Sequence, residues 1–119
     1  MKAINDVLQA RAESLARHIK EDKGWYDDKF LGYFMRGRVY IEEMWLAETQ
    51  RFIEAENITP DDMLKVLEER RAIIKTYMTE EKTLFNTTDG QEMRGRSVIN
   101  GHWLEETEKL IKILEQIRG

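Results

Sequence analysis

The side chains that could do chemistry in this sequence form no recognisable catalytic or metal-binding pattern. The two histidines, His18 and His102, belong to no HExxH or Glu-x-x-His motif. The neighbouring carboxylates Glu42–Glu43 and Glu105–Glu106 could work as acid–base pairs, but a solvated helix face explains them better in a chain with 35% charged residues. Cysteine, nucleophile motifs and glycine-rich phosphate loops do not occur. We therefore expect a protein that is not an enzyme and that needs neither metal nor cofactor.

Arginine supplies the pattern that could bind a charged ligand. The tripeptide Arg-Gly-Arg occurs twice, as Arg36-Gly37-Arg38 and as Arg94-Gly95-Arg96. Arg36 and Arg94 are predicted to point away from the apolar face, where they either stay solvated or bind a phosphate or an acidic protein surface. The net charge of −4 and the lack of a basic segment argue against nucleic acid as the main partner.

The elements that must position these residues are predicted to be helices. One proline, seven glycines and no alternating run of β-branched residues indicate an all-α chain. Thr59 followed by Pro60 marks a helix start, and Asp89 with Glu92 resembles a capping box. The pattern predicts helices at about 3–22, from Asp27 or Asp28 to about 56, from Thr59 to about Lys82, and from Asp89 nearly to Gly119.

Apolar residues recur at helical spacing in all four predicted helices. Helix 1 has Ile4, Leu8, Leu15 and Ile19; helix 2 has Phe30, Phe34, Ile41, Trp45 and Phe52; helix 3 has Met63, Leu67, Ile74 and Met78; helix 4 has Ile99, Trp103, Leu110, Leu114 and Ile117.

The two longest predicted helices are near-copies of each other. Residues 35–54 and 93–112 align without a gap and are identical at ten of twenty positions. The first and third helices align more faintly, at an offset one residue larger. The identical pairs are Met35/Met93, Arg36/Arg94, Gly37/Gly95, Arg38/Arg96, Ile41/Ile99, Trp45/Trp103, Leu46/Leu104, Glu48/Glu106, Thr49/Thr107 and Ile53/Ile111.

This repeat predicts a single domain, 1–119, made of two helical hairpins at about 3–56 and 59–118. One hairpin leaves an apolar face open, whereas two can cover each other as a pseudo-twofold four-helix bundle. Helices 2 and 4 would then be the central pair, with Trp45 and Trp103 in the core. Gly37 and Gly95 would allow close approach of the two backbones, since a glycine inside a helix costs about 1 kcal/mol relative to alanine.

Two arginines and two glutamates fall on the same apolar face. A buried charge needs a partner, and the pseudo-twofold would bring Arg38 to Glu106 and Arg96 to Glu48. The sequence therefore predicts two crossed ion pairs that set the register of the bundle.

The predicted turns between the helices are rich in aromatic residues. Trp25 and Tyr26 lie in the first turn, Tyr33 follows it, and Phe85 lies in the second. These side chains either close the ends of the bundle or form an anchor for a protein partner, since aromatic residues and arginine dominate interface energetics.

The segment Met35-Arg36-Gly37-Arg38 and its copy resemble a pattern in short phage-encoded helical proteins, in which an Arg-Gly-Arg stretch opens a long helix after a hairpin. The resemblance covers about a third of the chain and implies a viral interaction protein, often encoded among virion-assembly genes. Those proteins hold one copy of the motif, so this chain would replace a dimer by a fused pair. Location in the infected bacterial cytoplasm or the virion follows from the same resemblance.

Three functions stay open at the level of sequence. The first is a non-enzymatic accessory or adaptor protein in phage assembly, and the second is an inhibitor or modulator that binds a host protein. The third is weak nucleic-acid binding through Arg36, Arg38, Arg94 and Arg96. No apolar run approaches the ~20 residues that a transmembrane helix needs, so no membrane partner is expected, and a homo-oligomer is compatible with all three.

Overall fold

Four α-helices make up the fold in the computed structural model, which describes residues 2–55 and 57–118. They are α1 (Lys2–Lys23), α2 (Gly32–Glu54), α3 (Pro60–Thr83) and α4 (Gly90–Arg118). Within these described ranges there is no strand, and the all-α prediction is confirmed. The predicted ends near Glu56 and Gly119, and residue Met1 of the predicted domain, lie outside the described residues. None of the four helices combines enough length and apolar character, over the described residues, to cross a membrane.

Local side-chain hydrogen bonds determine where the helices α2 and α3 begin. At α3 the Thr59 hydroxyl accepts the backbone N–H of Asp62 at 3.1 Å, which confirms the predicted cap. The prediction that Asp27 or Asp28 caps α2 is wrong. The Asp28 carboxylate accepts the N–H groups of Phe30 and Leu31, each at 2.8 Å, and so closes an extra turn before the helix begins at Gly32.

The second turn is built differently. The Thr87 hydroxyl accepts the N–H of Asp89 at 3.3 Å and donates to the carbonyl of Leu84 at 2.7 Å. Glu92 pairs with Arg96 one helical turn later, at 3.2 Å, so it is not the second half of a capping box with Asp89.

The two central helices, α2 and α4, run parallel and touch closely at their first turns. A side chain at Gly37 would overlap the Glu92 carbonyl, and one at Gly95 would overlap the Phe34 carbonyl. At the other end, Phe52 shares a cluster with Leu110. Helix α1 packs on α2 and α3 packs on α4, so the outer helices flank a central pair that is in contact along its length.

Two apolar clusters hold these helices together. The first lies where α2 and α4 end, and the second surrounds Trp45 and Trp103, whose rings stack at 6.0 Å between centroids and 15° between planes. The first cluster contains Ile4, Leu8, Phe52, Met63, Leu64, Leu67, Leu110, Ile111 and Leu114. The second contains Leu15, Ile41, Trp45, Ile74, Ile99 and Trp103.

Two residues of the predicted apolar faces are instead exposed. Phe30 precedes the start of α2, so helical spacing does not apply to it. Ile117 lies beyond Leu114, the last α4 residue of the core cluster.

Candidate functional site

Large aromatic side chains are exposed at the turn between α1 and α2. Trp25 is 49% exposed, Phe30 82% and Tyr33 70%. Two of these three were candidate partner-binding residues, and Phe30 was missed because the sequence pattern placed it inside a helix. We call Trp25, Phe30 and Tyr33 the aromatic tip. Their exposure favours the partner-binding alternative for Trp25 and Tyr33 over the one in which they close the end of the bundle.

The remaining aromatic candidates lie beneath arginines. The guanidinium of Arg36 stacks over the Tyr26 ring at 4.5 Å, and Arg94 lies over the Phe85 ring at 5.3 Å. Both rings are half-buried, whereas both arginines are exposed. Each arginine therefore packs on an aromatic ring of the turn that precedes its helix. Arg36 also lies beside the aromatic tip.

The predicted crossed ion pairs, Arg38 with Glu106 and Arg96 with Glu48, are wrong. Arg38 instead binds Asp22 of α1 at 3.1 Å, and Arg96 binds Glu92 one turn earlier in α4. The two arginines lie near the starts of α2 and α4, and the two glutamates lie several turns further along these parallel helices. Two groups separated along parallel axes cannot meet by crossing from one helix to the other.

The glutamates are paired across the two hairpins, but by arginines of the outer helices. Arg11 of α1 binds Glu106 at 3.1 Å, and Arg70 of α3 binds Glu48 at 2.7 Å. Burial raises the pKa of Glu48, although the charge and hydrogen bond of Arg70 oppose the shift.

The same two arginines also cover the tryptophans. Arg11 lies 5.0 Å from the Trp45 ring centroid, and Arg70 lies 4.5 Å from that of Trp103. Arg11 and Arg70 occupy aligned positions of the two sequence repeats. Each therefore contacts the tryptophan of its own hairpin and the glutamate of the other.

A buried polar cluster lies where α1 meets α2. Glu42 is hydrogen-bonded to Asp22, and Asp22 also accepts a hydrogen bond from Arg38. Burial, followed by the hydrogen bond and the charge of Asp22, raises the pKa of Glu42 to about 8 against the opposing charge of Arg38. At neutral pH the Glu42 carboxyl therefore holds its proton and acts as a neutral donor toward Asp22.

The aligned position in α4 carries an amide. Asn100 donates to both carboxylate oxygens of Glu81, at 3.0 and 3.1 Å, and both residues are buried. Burial also raises the pKa of Glu81, while the hydrogen bond from Asn100 lowers it. The two halves thus meet one requirement, a neutral donor to a buried carboxylate, with a protonated acid in one and an amide in the other.

Two open grooves of about 300 Å³ each flank the central helices. The histidine groove lies between α1 and α4, and its walls include Leu15, His18, Glu42, Ile99, His102 and Glu105. The tyrosine groove lies between α2 and α3, and its walls include Tyr40, Ile41, Met44, Tyr77, Glu80 and Met93.

Sequence reasoning did not bring His18 and His102 together, because they occupy unrelated positions in the two repeats. The structure places both in the walls of one groove, since α1, which packs on α2, also touches α4. Over the residues that the structure describes, no set of three or more histidine and carboxylate side chains is arranged to hold a metal ion.

Comparisons of this chain with protein-family models, with curated proteins and with solved structures gave no match. The functional argument therefore depends on the aromatic tip and on the two grooves.

Proposed function

We propose that this protein is a non-enzymatic interaction protein that binds a protein partner through its aromatic tip. The proposal is carried by one observation, the exposure of Trp25, Phe30 and Tyr33 in and directly after the turn between α1 and α2. Scattered apolar residues on a surface are ordinary, but three large aromatic side chains within nine residues of one turn are typical of an interface anchor.

The second turn indicates that a hairpin of this kind does not need Phe30 and Tyr33 in order to fold. By alignment of the two repeats, Thr88 stands in place of Phe30 and Gln91 in place of Tyr33. Both are exposed and polar, and the second hairpin still forms. A hairpin of this kind therefore forms without an aromatic residue at the positions of Phe30 and Tyr33, whereas Trp25 aligns with the apolar Leu84.

The tip is also held in a defined shape. Asp28 fixes the backbone ahead of α2 through two hydrogen bonds, and Arg36 packs on Tyr26 below the exposed rings. A surface that is already ordered loses little conformational entropy when it binds, so a small patch of this kind gains affinity.

The setting that we propose is phage particle assembly, in which the chain acts as an accessory or adaptor component. The resemblance of the Arg-Gly-Arg helices to short phage-encoded proteins supports this setting. A host protein as the partner would make the chain a modulator, and the experiment below separates the two.

The test uses variants in which the tip takes the residues of the other turn, Phe30→Thr with Tyr33→Gln. We expect the double variant to keep its free energy of unfolding within about 0.5 kcal/mol, since both side chains are exposed. Partners captured by the tagged wild-type and variant proteins from producing cells are compared by quantitative mass spectrometry, and binding is then repeated with the purified partner. Loss of that binding in the variant is the expected result.

The matched control is Tyr77→Ser, which removes an exposed aromatic residue from α3, away from the tip. The control variant should bind as the wild type does. Equal partner binding by the wild type and the tip variant would refute the proposal. A particle protein as the partner supports assembly, and a host protein would overturn that setting.

A further inference from the structure

Helix α3 carries an apolar stripe that its own bundle leaves open. Val66, Ile73, Tyr77 and Leu84 follow one another at spacings of seven, four and seven residues, which puts all four on one side of the helix. Leu84 is the C-cap residue of α3. Exposure ranges from 39% at Val66 to 43% at Tyr77. We call these four residues the α3 stripe, and at 1.5 Å per residue it is about 27 Å long.

The α3 stripe continues into the tyrosine groove. Tyr77 and Leu84 line that groove, and so does Tyr40 of α2, which is 50% exposed. The open apolar surface is therefore wider than one row of side chains where α3 ends. Covering it requires a partner with an apolar surface of its own.

Two charged residues share the face of the α3 stripe. Arg70 lies in the first gap of the stripe and Glu80 in the last, each within about 40° of it at 100° per residue. Arg70 binds Glu48 through Nε at 2.7 Å, and no described residue accepts a hydrogen bond from its two Nη groups. Glu80 is exposed and forms no ion pair within the described part of the chain. This face therefore offers one cationic donor and one anionic acceptor.

The order of residues along this face is self-complementary. From either end it reads apolar, charged, apolar, apolar, charged, apolar, and the two charges are opposite. A twofold axis through the middle of the stripe would set two copies of α3 antiparallel. Val66 would then meet Leu84 of the second copy, and Ile73 would meet Tyr77. Each contact would occur twice, as an isologous interface requires.

The charges select the antiparallel register. In that register Arg70 meets Glu80 of the second copy on both sides of the axis. Parallel pairing would oppose Arg70 to Arg70 and Glu80 to Glu80, and like charges brought together are unfavourable. The α3 helix of a second copy thus matches both the apolar residues and the charges of this face.

Helix α1 does not repeat the stripe. At the aligned positions Ser14 stands in place of Ile73 and His18 in place of Tyr77, and both are half-buried. The self-complementary order is therefore confined to the second repeat. Helix α1 also supplies substitutions that a helix of this bundle already carries.

We propose that two copies of this chain associate through the α3 stripe, with their α3 helices antiparallel about a twofold axis. A seam of one helix face is smaller than the interfaces of stable complexes, which bury roughly 1,200 Å² or more, so the dimer is weak. We expect a dissociation constant of about 100 μM. Helix α3 ends at the turn before α4, beside the start of α2, so the antiparallel pair holds its two aromatic tips at opposite ends. Dimerisation does not depend on what the tips bind.

Sedimentation velocity of the wild type, at concentrations on both sides of about 100 μM, measures the association. We expect the average sedimentation coefficient to rise with concentration toward that of a dimer. A monomer at every concentration would overturn the proposal.

The first variant, Ile73→Ser with Tyr77→His, gives α3 the residues of α1 at the aligned positions. Its helix content, measured by circular dichroism, should equal that of the wild type, whereas its association should be at least about tenfold weaker. The matched control Val98→Ser removes an apolar side chain of 38% exposure from α4 and should dimerise as the wild type does. Equal association of the double variant and the wild type contradicts the stripe as the interface.

The second variant tests the charges. Glu80→Arg would oppose Arg70 of the second copy, and we expect about tenfold weaker association. Glu68→Arg makes the same change at an exposed position on the far side of α3 and should have no effect. Equal effects of the two substitutions would assign the loss to net charge and contradict the contact between Arg70 and Glu80.

Cysteine cross-linking reports the orientation directly, because the chain has no cysteine of its own. Val66→Cys protein labelled with ¹⁵N is mixed with unlabelled Leu84→Cys protein and oxidised gently, and the linked dimers are distinguished by mass. Labelled–unlabelled dimers should dominate, because only antiparallel pairing brings these two positions within disulfide reach. Links mainly between like chains would indicate parallel pairing, and a statistical mixture would indicate random collision. Either result contradicts the proposal.

The tip variant, Phe30→Thr with Tyr33→Gln, separates this inference from the proposed function. Both residues lie outside the α3 stripe, so the variant should dimerise as the wild type does. A tip variant that stays monomeric would move the interface to the aromatic tip and overturn the proposal.

Discussion

Several arginines of this protein contact both an aromatic ring and a carboxylate or a turn. Arg70 lies on the Trp103 ring and binds Glu48, and Arg96 lies 4.1 Å from the Tyr40 ring while binding Glu92. A planar guanidinium can stack face to face on a ring while its edge donates hydrogen bonds, a geometry that the compact ammonium of lysine does not have. Of the four arginines considered for nucleic-acid binding, Arg38 and Arg96 are thus committed to internal contacts.

Glu42 leads to a prediction about pH at the residue scale. Its pKa is about 8 in the folded protein against 4.5 as the ordinary value, so folding favours the protonated form. The resulting stabilisation is complete below about pH 4.5, declines as the pH rises and is lost above about pH 8. We expect the free energy of unfolding of the wild type to fall by several kcal/mol relative to Glu42→Gln across this range, since each pH unit between the two pKa values contributes about 1.4 kcal/mol.

Urea unfolding of both proteins at a series of pH values measures this difference. Glu48 and Glu81, whose pKa values are also raised by burial, contribute equally to both proteins and cancel in the comparison. Parallel pH profiles for the two proteins would show that Glu42 ionises normally.

At the scale of elements, the contact between α2 and α4 depends on two glycines. A Cβ atom at Gly95 would overlap the Phe34 carbonyl and lie 2.9 Å from the Arg38 backbone nitrogen. Backbone atoms cannot rotate away as a side chain can, so the helices would have to separate. Overpacking of this kind typically costs about 1–3 kcal/mol or more.

The prediction is that Gly95→Ala destabilises the protein by at least about 2 kcal/mol, measured by chemical denaturation. The matched control is Gly101→Ala in the same helix, where the nearest atom is the flexible end of Met78 at 3.8 Å. There the gain in helix propensity should stabilise the protein by about 1 kcal/mol. A Gly95→Ala protein as stable as the wild type would mean that the helices approach less closely.

The first turn differs from its predicted form because an aspartate carboxylate can accept hydrogen bonds either at the start of a helix or within the turn before it. Asp28 was a sound candidate for a helix cap, but its carboxylate reaches the N–H groups two and three residues on, before the helix begins. Sequence pattern alone does not distinguish a capped turn from a capped helix, since both use the same hydrogen bonds.

At the scale of the whole molecule, the two hairpins share one core. Trp45 stacks on Trp103 across the hairpins, and the Arg11–Glu106 and Arg70–Glu48 pairs cross in opposite directions. Either hairpin alone would expose its tryptophan and separate its glutamate from the arginine that binds it. The domain should therefore unfold as one cooperative unit.

A Trp25→Phe variant tests this prediction, because the two remaining tryptophans then report only on the shared core. Urea transitions followed by tryptophan fluorescence and by far-ultraviolet circular dichroism should coincide. A fluorescence transition that precedes the loss of helix would show that the hairpins separate first.

The sequence by itself determined the helical class, the approximate positions of the four helices and the residues around Trp45 and Trp103. These follow from the 3.6-residue period and from the alignment of residues 35–54 with 93–112, both of which are local properties of the chain. The internal duplication stays an interpretation of that alignment, supported by contacts that recur at aligned positions.

Only the tertiary structure decided which charges pair and which residues share a groove. The alignment shows that Arg38 and Glu48 recur in the second repeat. It does not show that Arg11 and Arg70, on the outer helices, are the arginines that form ion pairs with the glutamates. Likewise His18 and His102 come together only because α1 lies beside α4. Such contacts depend on the relative placement of helices, and helix periodicity specifies the face of each residue without specifying its neighbour.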